Sequence, residues 1–194
     1  MKLIFATSNE NKAVELQRLM GDSIEIESLK SLNFMQDIVE SEDTLEGNSL
    51  LKANTVFNHF NRACFADDTG LEVDALDGAP GVYSARYAGP TCDSENNMAL
   101  LLRNLGNTEN LKARFRTVIT FKSLGTTKQF EGIVDGTIVL EKRGSKGFGY
   151  DPIFKPNSSE LTFGEMTLKQ KNEFSHRARA FAKLKDYLLS IDSI

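Results

Sequence analysis

The stretch ARFRTVITF, Ala113 to Phe121, alternates strictly, with Ala113, Phe115, Thr117, Ile119 and Phe121 on one side. A period of two belongs to a β-strand with two different faces, and a helix cannot gather such a pattern into one stripe. KQFEGIV and GTIVLEK continue as strands, with a joint expected near Asp135 and Gly136. Consecutive strands from 113 to 140 imply antiparallel pairing in part of a sheet. KLIFAT (Lys2 to Thr7) reads as a buried strand and SIEIESL as a half-buried one. Between them a helix is expected from about Asn9 to Met20, with Ala13, Leu16 and Leu19 or Met20 on one face and Gly21 as its stop.

A second helix is expected from near Leu45 to Asn61, where Leu50, Ala53, Phe57 and Phe60 recur at helical spacing and Asp43 with Glu46 offers a capping pair. A third spans about Ser94 to Leu105 and ends at Gly106, and a last one, capped at Ser175, buries Phe181, Leu184 and Leu188. Long helices mixed with strands give an α/β fold. The 194 residues suffice for a single domain, 1–194, with room for two lobes.

Twenty-three Lys and Arg against 27 Asp and Glu leave a net charge of −4, which disfavours wrapping nucleic acid by charge but permits a local basic pocket. Cys64 and Cys92 have no metal-type spacing and read as reduced thiols. Neither a leader nor a bilayer-spanning stretch is visible, so a cytoplasmic protein without membrane or nucleic-acid partners is expected.

Four segments carry candidate chemistry. TSNENK (Thr7, Ser8, Asn9, Glu10, Asn11, Lys12) joins the first strand to the first helix, where backbone N–H groups and the helix dipole attract an anion. Lys12 opposes that dipole unless an anion is bound; a solvated N-cap loop fits the same residues. CFADDTGLEV sets Asp67 beside Asp68, and together with Glu40 of the acidic run DIVESED it offers carboxylates of the kind that hold Mg²⁺, although a solvated turn is the blander alternative. In GSKGFGYDP the glycines allow close approach, and Phe148 or Tyr150 has a ring that stacks on a planar base or fills a core. In KQKNEFSHRAR, Lys171, His176 and Arg177 offer donors to phosphate and base carbonyls, or form a solvated basic helix.

Taken together, TSNENK, ADDTGL, GAPGVYSARYAG, FGYDP and MTLKQKNEFSHR, in this order, resemble the bacterial inosine triphosphate pyrophosphatase family. The resemblance implies an elongated central mixed sheet with flanking helices, two lobes around a substrate cleft, and a homodimer. It implies Mg²⁺-dependent hydrolysis of XTP, ITP or dITP to the monophosphate and pyrophosphate. Asp68 would be proton acceptor and metal ligand, with Glu40 as its metal partner. Thr7 to Lys12, Thr69, Phe148, Gly149, Tyr150, Asp151, Lys171, His176 and Arg177 would contact substrate, and Lys12, Lys52 and Lys171 would clamp phosphate. Many members carry Ser at Thr69 and Gly at Ser8, and Gly47 replaces a Glu often found in the second helix, which puts a metal role for that helix in doubt. A Maf-type nucleotide diphosphatase and a non-catalytic nucleotide-binding regulator are the alternatives; the SHR segment argues against the first and the acid pair against the second.

Overall fold

The structure is a computed structural model that describes residues 2–7, 9, 12–13, 16–17, 19 and 24–191. Its strands are β1 (Lys2–Phe5), β2 (Glu25–Ser28), β3 (Cys64–Val73), β4 (Pro80–Gly81), β5 (Lys112–Ser123), β6 (Thr126–Ile138) and β7 (Phe154–Pro156). The helices that can be bounded are α1 (Leu45–Phe60), α2 (Ser94–Leu105), α3 (Leu168–Asn172) and α4 (His176–Ile191). One mixed sheet runs β2-β1-β3-β5-β6-β7, with β4 added on β3. β1 is parallel to both β2 and β3, in the register Phe5↔Ser28 and Phe5↔Phe65, whereas β7 is antiparallel to β6. Of the expected first helix, Lys12, Ala13, Leu16, Gln17 and Leu19 are helical; the other residues of that helix after Asn9, with Gly21, lie outside the described residues.

Contacts divide the chain into two compact units, Met1–Asp68 with Thr117–Gly132 and Arg177–Ile194, and Thr69–Arg116 with Ile133–His176. In the first unit the apolar run of β1 is buried on both faces, as a strand between two helical layers must be. Leu3 and Phe5 join Phe65, Ile119, Phe121, Phe181, Leu184 and Leu188 on the α4 side, while Ile4 and Ala6 join Ala53, Val56, Cys64 and Ala66 on the α1 side. The second unit has its own core, in which Leu71, Val73, Met98, Leu101, Phe115, Ile153, Phe154 and Phe163 meet.

Ala113, Phe115, Thr117, Ile119 and Phe121 of β5 are all buried, and from Thr117 to Phe121 the other face is buried too, because Ser49 of α1 bonds Thr120 (2.7 Å) there while Ile119 and Phe121 pack on the opposite side. Two expectations need correction. No turn forms at Asp135 and Gly136. β6 passes straight through them, and the hairpin turn is instead Leu124-Gly125, with Gly125 at φ +73°. Gly136 is bare because a Cβ there would lie 2.6 Å from the Phe154 ring. Finally, α1 is capped by Thr44, whose hydroxyl accepts from the Gly47 N–H at 3.0 Å, and not by Asp43 with Glu46.

Candidate active site

Consecutive side chains on a strand point to opposite faces, so β3 separates its two acids. Asp67 follows Phe65 toward α4, and Asp68 follows Ala66 toward α1. Both are buried. The Lys12 ammonium lies 3.0 Å from each Asp67 oxygen, and Arg177 Nε lies 3.5 Å from Oδ2. Burial by itself would raise the Asp67 carboxyl, but Lys12, Arg177 and Lys52 outweigh it and hold it at about 2. For Lys12 the balance tips the other way: desolvation lowers the ammonium despite Asp67.

On the opposite face Lys52 donates to Glu40 Oε1 at 2.5 Å and to Asp68 Oδ1 at 3.3 Å. Burial disfavours its charge, yet Asp68, Glu40 and Asp67 together raise its pKa above the ordinary lysine value. Asp68 is pushed above the usual carboxylate range, first by desolvation, which Lys52 only partly offsets, and Glu40 adds to the rise. Among the described residues no donor reaches Asp68 Oδ2, although it is buried. Two adjacent carboxylates thus have different chemistry: Asp67 is a fixed anion, and Asp68 is the stronger base.

The loop bearing Glu40 is seated by Asn48, which sequence reasoning passed over, and by the bare position at Gly47. Asn48 Oδ1 accepts the Glu42 N–H at 3.0 Å, and a Cβ on Gly47 would lie 2.7 Å from Glu42 Cβ. The missing Glu at position 47 therefore makes room for the acidic loop, and the contribution of α1 to the carboxylates is Lys52. A signal existed: Asn48, Ser49 and Lys52 interrupt with polar groups the buried stripe of Leu45, Ala53 and Val56.

In the first loop Thr7 Oγ1 accepts the Asn9 N–H at 3.1 Å, and Asn9 Oδ1 accepts the Lys12 N–H at 3.4 Å. Ser8, Glu10 and Asn11 lie outside the described residues. Glu40 and Asp68 are the donor set available to a divalent cation; no group of three His, Cys, Asp or Glu side chains suited to a metal occurs among the described residues. Mg²⁺ is habitually held by one or two carboxylates with waters and substrate phosphates. A buried Asp68 oxygen that lacks a donor among the described residues fits such an ion.

The second unit holds a separate arrangement. Asp151 Oδ2 accepts from the Phe148 N–H at 2.9 Å and from Lys171 Nζ at 2.7 Å, which locks the FGYDP turn to α3. Lys171 Nζ lies 4.9 Å from the centre of the Phe148 ring. Tyr150 is buried and donates its hydroxyl to the Ser84 carbonyl at 2.9 Å, so Phe148, only partly covered, is the ring left for stacking. Gly149 takes φ +62° between them. Thr69 is half-buried, and Gly70 after it must be glycine, since a Cβ would lie 2.6 Å from the Gly81 carbonyl. His176 is buried and stacked on Phe115 at 4.6 Å, whereas Arg177, next in sequence, turns to Asp67 in the first unit.

The Ham1 family model matches residues 3–187. The chain is 50% identical over 188 residues to the dITP/XTP pyrophosphatase of Flavobacterium johnsoniae, covering 97% of this chain and 98% of that one. It is 49% identical over 189 residues to the protein of the same name from Porphyromonas gingivalis, with 97% of each covered. The Staphylococcus aureus Ham1 protein has the same fold, with a TM-score of 0.89 at 37% identity over 98% of this chain and 99% of that one. Agreement of sequence and fold along nearly the whole length admits one conclusion: this chain belongs to the Ham1 family.

Proposed function

We propose that this protein hydrolyses dITP, XTP and ITP between the α and β phosphorus atoms, releasing the nucleoside monophosphate and pyrophosphate. The likeness to dITP/XTP pyrophosphatases over nearly the full chain supports this reaction. The observation that carries the chemistry is Asp68, a buried carboxylate with raised proton affinity and one oxygen that no donor among the described residues reaches. Cleavage needs a water deprotonated as it attacks and a place for the charge that builds on the leaving pyrophosphate. Asp68 takes the water's proton. Asp67 is held at about 2 and is too weak a base for that step; its charge keeps Lys12 and Arg177 in place.

Glu40 and Asp68 would hold Mg²⁺, which supplies Lewis-acid stabilisation of phosphoryl oxygens and a more acidic water. Lys12 and Lys52 are positioned by acids that substrate phosphate can replace as partners, and Lys171 is the third phosphate ligand of the set. Thr7 to Lys12 and Thr69 complete the polar contacts. Phe148 stacks on the purine, with Gly149, Tyr150 and Asp151 shaping its turn, while His176 and Arg177 select bases bearing a C6 carbonyl. The working form is a cytoplasmic homodimer that acts on free nucleotides; sedimentation tests the assembly. No helix among the described residues is long and apolar enough to cross a membrane.

Incubation with a panel of nucleoside triphosphates and Mg²⁺, with products separated chromatographically, tests the function. Equimolar pyrophosphate and monophosphate from dITP, ITP and XTP, with little turnover of ATP, is the expected result. Release of orthophosphate, or indifference to the base, would refute it.

A further inference from the structure

Lys52 serves two acids at once, at 2.5 Å from Glu40 and 3.3 Å from Asp68, and its side chain is only 9% exposed. The other Asp68 oxygen, buried, has no donor among the described residues. The carboxylates that a divalent cation would take are therefore already shared by a monovalent one. On the opposite face of β3, Asp67 is matched by Lys12 and Arg177. The named set contains three carboxylates and three cations, so it offers no net attraction to a free divalent ion or to a free polyphosphate. A divalent ion arriving alone would be driven against the Lys52 ammonium. Polyphosphate arriving alone would meet Asp68 and Glu40.

We propose that Lys52 is the resident cation of the Glu40–Asp68 pair, and that its transfer to substrate phosphate admits the divalent metal, so that metal and polyphosphate bind as a coupled pair and neither binds well alone. This rests on the pyrophosphatase function proposed above and adds an order to its binding events. Phosphate is the natural new partner for the ammonium, because a charge-assisted bond to it replaces the two lost carboxylate bonds. The vacated oxygens, together with Asp68 Oδ2, then face the metal. The arrangement gives the enzyme a reason to prefer the metal–nucleotide complex over either component.

The test is Mn²⁺ binding to the full-length protein, followed by electron paramagnetic resonance, alone and with methylenediphosphonate, which cannot be hydrolysed. The affinity of Mn²⁺ for the diphosphonate in solution is measured separately and subtracted. In the wild type the diphosphonate should tighten Mn²⁺ at least about tenfold, within the usual range of such couplings. In Lys52→Met, Mn²⁺ alone should bind at least about tenfold more tightly than to wild type, and most of the coupling should vanish. Lys52→Gln, also neutral, stands in if the Met variant does not fold by circular dichroism. Equal Mn²⁺ affinity in wild type with and without the diphosphonate would overturn the proposal. So would a neutral variant that binds Mn²⁺ no better than wild type. Pyrophosphate release from dITP, assayed alongside, separates the two ideas: turnover without coupling removes the role of Lys52 alone, and coupling without turnover on any aberrant purine removes the reaction.

Discussion

On β3 the carboxylate of Asp67 lies within reach of Lys12 and Arg177, whereas that of Asp68 faces Lys52. The difference has consequences that can be measured one residue at a time. Asp68→Asn keeps the shape and removes the base, so turnover should fall at least about a hundredfold, the usual scale for losing a general base. Near-wild-type turnover in that variant would contradict the assignment. Asp67 titrates at about 2 in the fold against 3.8 ordinarily. A carboxyl depressed in this way stabilises the fold above its unfolded value, and that stability is lost as pH falls through the folded value. The metal-free protein should therefore lose about 2 kcal/mol from this group between roughly pH 4 and pH 2. Carboxyl carbon NMR titration, which should show Asp67 still ionised at pH 3, checks it.

From the residues alone Lys12 reads as a cation that opposes a helix dipole, served by a bound anion or left in solvent, and the family resemblance implies a phosphate clamp; the fold supplies an anion as Asp67. Lys12→Met leaves a buried charge with one partner fewer, and should cost about 3 kcal/mol in chemical denaturation as well as weakening substrate binding. A variant as stable as wild type would mean that Arg177 compensates Asp67 unaided.

At the scale of elements, the acidic loop and the start of α1 form one construction. Thr44 caps the helix, Asn48 accepts the Glu42 N–H, and Gly47 leaves room for the Glu42 side chain. Two effects compete in Gly47→Ala. Alanine favours the helix by up to about 1 kcal/mol, but its Cβ would lie 2.7 Å from Glu42 Cβ, an atom fixed close to the backbone. Relieving that contact costs about 1–3 kcal/mol, so the loop should shift. Stability is expected to fall slightly, and the Mg²⁺ concentration needed for half-maximal turnover to rise, because Glu40 moves with the loop. Unchanged metal dependence would show that Glu40 is placed independently of Glu42. α3 shows the same economy in the second unit: a capping box of Thr167 and Gln170 starts a five-residue helix whose Lys171 is tied to Asp151.

At the scale of the whole molecule, both ends of the chain build the first unit. β1 comes from the start, and α4 returns near the end to cover it with Phe181, Leu184 and Leu188 while bringing Arg177 to Asp67. Each of these apolar side chains is worth about 1.5–3 kcal/mol of burial, against a total stability of roughly 5–15 kcal/mol for a domain. A chain ending at Ser175 should consequently be insoluble or lack cooperative unfolding. A soluble, cooperatively melting truncation would show that α4 is dispensable to that core.

Helix and strand positions in this protein were set locally. The period of Ala113–Phe121, the helix stop at Gly106 and the apolar runs act between near neighbours and so can be read from the sequence. The motif order likewise carried the family, whose model matches residues 3–187. Tertiary structure alone decided that Asp67 meets Lys12 and Arg177 while Asp68 meets Lys52, since those partners come from residues 12, 52 and 177, and only the folded chain fixes those distances. It also decided that Gly136 is a close approach within a strand, and that Tyr150 is packed away while Phe148 stays partly open. The physical reason is the same in each case: a side chain's proton affinity and accessibility depend on the charge and volume of whatever folds against it, and those neighbours are distant in sequence.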